Sequence, residues 1–169
     1  PNVRFRALAN PHHRCESVFG VIRTAPLRRS FLLSDYAGCD RVLLAQISLM
    51  GKFHEVPEVL FLHREHPQRS TKRYKNSQNR TEWFTARTGP PALPHFRMLG
   101  GYARAVREAD VPITDKIACL AMLVPWTKRN ARKMRRELSY ALRYALASKR
   151  RRADADSSPL KEATKSRTL

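Results

Sequence analysis

The residues best suited to chemistry lie between Gly38 and His66. Asp40 opens an apolar helical pattern, so its carboxylate is expected in the first turn of a helix, where the helix dipole favours negative charge. A carboxylate held there, beside a glycine that leaves space, can take a proton from a substrate hydroxyl as a general base. The same position also fits an aspartate that only stabilises the helix, and spacing alone leaves both interpretations open.

A second group of chemical interest, Arg64 and His66, stands at the end of this stretch. Guanidinium and imidazolium groups both suit the oxygens of a diphosphate, so this pair predicts contact with such an anion. A metal ion shared by His63 and His66 is disfavoured on a strand, because residues three apart point to opposite faces. A solvated, polar strand end is the alternative interpretation.

Short strands and one clear helix are predicted to position these groups. The run Val18–Ile22 is apolar and partly β-branched, which is typical of a buried strand. Apolar residues spaced at i, i+1, i+4 and i+7 define one face of a helix over residues 39–50. Two more strands are predicted at Phe53–Val56 and Val59–Arg64, separated by a Pro-Glu dipeptide.

The second half of the chain has a helical and basic pattern. The predicted elements are a polar loop at 67–78 and helices at 80–87, 95–109 and 114–149. Between Lys128 and Arg152, eleven lysines and arginines accompany a single acid, Glu137. An apolar stripe runs through this stretch, from Met134 to Ala145, and predicts a basic amphipathic helix. Such a helix either packs on the rest of the protein or lies on an anionic membrane.

Composition narrows the class of partner. A net charge of +19 indicates a polyanion: nucleic acid, an anionic membrane or a phosphorylated substrate. Nucleic-acid binding is kept as an alternative, although the basic residues are not interleaved with aromatics as on a nucleic-acid platform. Three cysteines without a CxxC pair favour reduced thiols over a disulfide framework or a zinc site. The longest apolar run is about half of the ~20 residues that a membrane-spanning helix needs, so none is expected.

Several short motifs follow one another in a defined order: VFGVIR, GCDRVLLA, GKFHEVPEVLF and REHPQRS. This series resembles the C-terminal half of the catalytic domain of family 2 glycosyltransferases of the actinobacterial type. The resemblance is dense from about Arg4 to Ser70 and looser to about residue 146. It implies an α/β, Rossmann-like GT-A fold. Residues 1–70 would then be the acceptor side of the catalytic domain, 71–150 a basic helical extension and 151–169 a disordered tail.

The resemblance also implies roles for individual residues. Asp40 matches the general base, although Cys39 stands where the family has a second acid. Arg64, His66 and Arg69 match the residues that bind the donor diphosphate, and His66 is also a candidate ligand for Mg²⁺ or Mn²⁺.

The implied function is inverting transfer of a sugar in cell-envelope polysaccharide or glycolipid synthesis. The donor would be a nucleotide sugar, and the acceptor a hydroxyl of a glycan or of a lipid-linked molecule. The expected location is cytoplasmic, with peripheral attachment to the inner face of the membrane through residues 128–152. The nucleotide-binding half of the family is not represented, so we expect the chain to be a fragment that is inactive by itself.

Overall fold

The described residues are mainly helical and contain no strand. The computed structural model describes residues 1–10, 15–62, 64–68, 70–74, 77–86 and 89–156. The helices are α1 (Asn2–Ala9), a short 3-10 helix (Glu16–Phe19), α2 (Thr24–Arg28), α3 (Cys39–Met50), α4 (Ser70–Arg73), α5 (Ser77–Thr85), α6 (Pro94–Glu108) and α7 (Ile113–Asp156).

The predicted α/β, Rossmann-like GT-A fold is wrong for this structure. The 3-10 helix occupies the start of the predicted strand Val18–Ile22, and the described residues of 53–56 and 59–64 have no regular secondary structure. A strand is stable only when its main-chain N–H and C=O groups pair with a neighbouring strand. The described residues provide no such neighbour, so apolar β-branched composition alone does not produce a sheet.

Three of the helical predictions agree closely with the structure, whereas the loop predicted at 67–78 contains α4 and the start of α5. The helix expected at 39–50 is α3, and the helix expected at 95–109 is α6, shifted by one residue. The long basic helix is α7, which continues through Pro125 and extends as far as Asp156. Periodicity succeeds here because a helix forms its hydrogen bonds within one segment and needs only one apolar face to pack.

The core lies where α1, α3, α6 and α7 meet, and its centre is Tyr102 of α6, which is fully buried. The ring of Phe5 on α1 packs edge-on against Tyr102 with centroids 5.9 Å apart. On its other side, Trp126 of α7 makes a second edge-on contact at 5.6 Å. Three helices are therefore connected through one aromatic ring, a geometry that aromatic pairs prefer.

Two glycines allow α6 to approach α3 closely. A side chain at Gly101 would place its Cβ 2.8 Å from Val42 Cγ1 and 3.3 Å from the hydroxyl of Tyr36. Gly38, just before α3, has a φ of +95°, a left-handed conformation that side chains rarely adopt. Met98 of α6 packs directly over it.

In the part of the chain that the structure describes, no helix has the length and apolar character needed to span a bilayer.

We predict that Gly101→Ala lowers the free energy of unfolding by about 1–3 kcal/mol, because the added methyl group overpacks the contact with Val42. The matched control is Gly100→Ala on the same helix, where a Cβ meets no atom within 4 Å. That control should raise the free energy of unfolding by about 0.5–1 kcal/mol, since alanine favours helix. Urea denaturation followed by circular dichroism measures both, and equal effects at the two positions would contradict the close approach.

Candidate functional site

Asp40 lies in the first turn of α3 and is half-buried. Its Oδ1 accepts a hydrogen bond from the main-chain N–H of Arg41 at 2.9 Å. The residue before the helix is Gly38, which has no side chain that could cap it. The carboxylate therefore provides negative charge at a helix end where main-chain N–H groups lack partners within the helix.

The thiol of Cys15 lies near the Asp40 carboxylate. Burial raises the pKa of Cys15 from 9.0 to about 12, and the negative charge of the nearby Asp40 acts in the same direction. The thiol therefore stays protonated and unreactive near neutral pH, because only the thiolate is a nucleophile. The folded protein holds this proton more tightly than the unfolded chain. The stabilisation is thus complete below pH 9 and is lost as the pH rises toward 12.

The surroundings of Cys15 and Asp40 favour the protonated, uncharged form of two tyrosines, Tyr36 and Tyr102. Burial raises the pKa of Tyr36 to about 12, with smaller contributions that include Cys39, and burial also raises the pKa of Tyr102. The Tyr102 hydroxyl is buried and has no hydrogen-bond partner among the described residues. Arg41 contributes a cation to this region, and its Nη1 donates to the carbonyl of Asn10 at 3.2 Å.

A cavity of about 240 Å³ adjoins the start of α3, but Asp40 does not line it. Tyr36 and Cys39 form part of its wall, together with Arg97 of α6. The guanidinium of Arg97 stacks over the Tyr36 ring, 4.5 Å from its centroid, and pairs with Asp35. Protein groups thus already engage the Arg97 guanidinium, and the described lining of the cavity contains no carboxylate and no imidazole.

Arg64 and His66, the predicted diphosphate ligands, are exposed on the irregular segment that follows α3. Within the described ranges, no hydrogen bond or ion pair joins either residue to Asp40. The third predicted ligand, Arg69, lies outside the described residues, as does His63. The grouping of Asp40 with a diphosphate site therefore stays a prediction.

The predicted metal ion has no set of ligands in the described part of the chain. No cluster of three or more His, Cys, Asp or Glu side chains that could hold a metal ion occurs there. Glu65, the neighbour of His66, pairs with Lys72 at 3.2 Å. Ligation of Mg²⁺ or Mn²⁺ by His66 therefore stays a prediction, and no chemical step is assigned to a metal ion.

Sequence reasoning missed a second polar contact, between α6 and α7. The main-chain N–H of His95 donates to both carboxylate oxygens of Glu137, at 3.1 and 3.4 Å, and its Nδ1 lies 2.5 Å from Oε1. Glu137 is only 7% exposed and caps the N-terminus of α6 from another helix. The signal for it was present, since Glu137 is the single acid among eleven cations between residues 128 and 152.

The chain matches no family model, no curated protein and no solved structure to which it was compared. The resemblance to glycosyltransferases therefore depends on the ordered motifs alone.

We predict that Asp40→Asn makes Cys15 more reactive toward iodoacetamide at mildly alkaline pH. Removing the negative charge lowers the pKa of the Cys15 thiol, and each pKa unit by which it falls increases the thiolate fraction by about tenfold. Peptide mass spectrometry measures the alkylation rate at each cysteine, and Asp110→Asn, which removes an exposed acid elsewhere, is the control. An unchanged rate at Cys15, or the same increase at the buried Cys119, would show that Asp40 does not act on this thiol.

Proposed function

We propose that the chain acts in glycosyl transfer, moving a sugar with inversion from a nucleotide-sugar donor to an acceptor hydroxyl. The acceptor is a glycan or a lipid-linked molecule of the cell envelope. The observation that carries the proposal is the placement of Asp40. Its carboxylate is partly exposed at the start of α3, where the main-chain N–H of Arg41 donates a hydrogen bond to it and the Cys15 thiol lies nearby. The ordered motifs from VFGVIR to REHPQRS add support from the sequence.

The proposed reaction is a direct displacement. The acceptor oxygen attacks the anomeric carbon of the sugar, and the bond to the diphosphate breaks with its electron pair on the leaving oxygen. Asp40 takes the proton from the attacking hydroxyl, which makes the oxygen a stronger nucleophile. Arg64, His66 and Arg69 are the cations assigned to the charge that develops on the diphosphate. Attack and departure on opposite faces of the carbon produce inversion.

A purely structural role for Asp40 makes a different prediction about its replacement. A carboxylate that only interacts with the helix dipole contributes about 0.3–1 kcal/mol at a surface, and asparagine leaves most of the fold intact. A general base, in contrast, accounts for about 10²–10⁴ in rate. Stability and turnover therefore separate the two roles.

The exposed face of α7 supports a place of action at an anionic membrane. Of the predicted apolar stripe, Met134 is buried in the core, but Leu138 and Leu142 are 49% and 58% exposed. Leu146 continues this row at 62% exposed, and lysines and arginines flank it. Leucines on a basic helix fit the boundary between headgroups and acyl chains, while the cations attract anionic lipid. Nucleic acid uses the same charge but gains little from an exposed leucine row.

We predict that genomic Asp40→Asn reduces sugar incorporation by about 10²-fold or more in the cells that produce this chain. Extracts are supplied with a panel of labelled nucleotide sugars, and incorporation into glycan and glycolipid fractions is measured. Binding of the same nucleotide sugars should change by less than about twofold, because the base contacts the acceptor and not the donor. Asp110→Asn is the matched control. Full retained incorporation, or parallel loss of donor binding, would reject the role of Asp40.

We also predict that the triple variant Leu138→Gln, Leu142→Gln, Leu146→Gln binds vesicles containing anionic lipid at least about tenfold more weakly, because it removes apolar surface from the bilayer boundary. The control triple variant Ile117→Gln, Leu120→Gln, Val124→Gln replaces exposed apolar residues in the other half of α7. Vesicle flotation measures binding. Equal binding to neutral vesicles would contradict the proposal. So would tight, steeply salt-dependent binding of duplex DNA that the leucine variant retains in full.

A further inference from the structure

A cleft of about 510 Å³ lies between α5, the start of α6 and the middle of α7. Its wall includes four cationic side chains: Arg80 from α5, and Lys133, Arg136 and Arg143 from α7. Glu137 is the one carboxylate in the described lining, so these residues leave a formal charge of +3, with His95 counted as neutral. The cations of α7 stand three, seven and ten residues apart, which places them on one side of the helix.

The carboxylate in this wall is directed at α6. Both oxygens of Glu137 accept from the main-chain N–H of His95, and Oε1 also contacts the His95 ring. In the described part of the chain, no ion pair joins Arg80, Lys133 or Arg143 to a carboxylate, and the same holds for Arg136. The cleft thus concentrates positive charge that described acids do not neutralise.

Arg80 supplies a more specific observation. Its Nε is buried and has no hydrogen-bond partner among the described residues, although its Nη2 donates to the carbonyl of Tyr74 at 3.1 Å. Leaving a buried N–H without an acceptor costs free energy, and such groups are uncommon in folded proteins. Arg80 lines the cleft, so an anion bound there has a guanidinium with donor capacity left over.

Hydrogen bonds fix the wall that carries Arg80. The side-chain nitrogen of Gln78 donates to Glu82 at 2.7 Å within α5, and its side-chain oxygen accepts from the main-chain N–H of Ala92 at 3.0 Å. This pair of bonds holds the segment before α6 against α5. The Glu137 contact with His95 holds the start of α6 against α7. The three sides of the cleft are therefore positioned before any ligand arrives, which reduces the entropy cost of binding.

We propose that this cleft binds a ligand that carries a diphosphate group. Arginine pairs with phosphate oxygens through two parallel hydrogen bonds, and two linked phosphates match the formal charge of the wall. The volume lies within the range of small-ligand sites, and Pro91, Leu93 and Tyr140 provide apolar surface for an organic substituent. A nucleoside diphosphate and a lipid-linked diphosphate share this chemistry. The inference does not depend on sugar transfer.

The test is calorimetric titration of the full chain with inorganic pyrophosphate and, separately, with inorganic phosphate. We expect saturable binding of pyrophosphate at the cleft, about tenfold or more tighter than binding of phosphate. Lys133→Gln with Arg143→Gln should weaken pyrophosphate binding by about tenfold or more, because two charge-assisted hydrogen bonds are lost. The matched control is Lys128→Gln with Arg135→Gln, which removes the same charges from exposed positions outside the cleft. It should change the affinity by less than about threefold, through long-range charge alone.

A second variant tests the Arg80 observation without altering charge. Arg80→Lys keeps the cation but removes the Nε donor, so we expect weaker pyrophosphate binding at unchanged salt dependence. Two further titrations distinguish the sources: tighter binding of a nucleoside diphosphate than of pyrophosphate supports a soluble ligand, and selective binding of vesicles containing a polyprenyl diphosphate supports a lipid.

Three results overturn the proposal: equal weakening by the two double variants, absence of saturable pyrophosphate binding, and binding of neither organic diphosphate. Asp40→Asn should leave pyrophosphate binding unchanged. The experiments therefore distinguish a wrong role for Asp40 as the general base from a wrong ligand for the cleft.

Discussion

The close approach of α6 to α3 is the constraint on which the rest of the structure depends. Val42 of α3 occupies the space that a side chain at Gly101 would need, and Met98 covers Gly38 at the point where α3 begins. This contact places Tyr102 at the centre of the core, where its ring packs against Phe5 of α1 and against Trp126 of α7. Cores are packed as densely as organic crystals, so each of these helices loses its position if the approach widens.

The second organising feature is the scarcity of acids, with 14 against 33 lysines and arginines. Several of the acids serve the fold. Glu137 caps α6, Asp35 holds Arg97 over an aromatic ring, and Glu108 pairs with Arg104 at 2.9 Å. The hydrogen bond from Arg104 lowers the pKa of Glu108, which keeps that acid charged. With acids used in this way, a large excess of cations is left facing solvent, and the excess is densest on α7.

The main helices are predicted well from the sequence, whereas the predicted sheet is absent from the described residues. The reason is the distance along the chain over which each kind of hydrogen bond acts. Helices α3, α6 and α7 need only their own hydrogen bonds and one apolar face. The segment after α3 has the composition of a strand, but without a pairing neighbour in the described chain it leaves Val59 and Leu62 83% and 85% exposed. The Cys15–Asp40 contact was beyond prediction, because no motif links residues that distant. Glu137 was within reach, since one acid in a basic, amphipathic helix indicates a buried structural role.

The start of α6 connects the two regions to which chemistry has been assigned. Glu137, which lines the basic cleft, fixes the position of His95 by accepting a hydrogen bond from its main-chain N–H. Met98 lies one helical turn later and packs over Gly38, just before α3 begins. Residues three apart on a helix share a face, so one rigid turn carries both contacts. The orientation of the Asp40 carboxylate and the shape of the cleft therefore depend on the same turn, although no side chain is common to both. A substitution that moved this turn would disturb proton acceptance and anion binding together, whereas substitutions within either region would act on one alone.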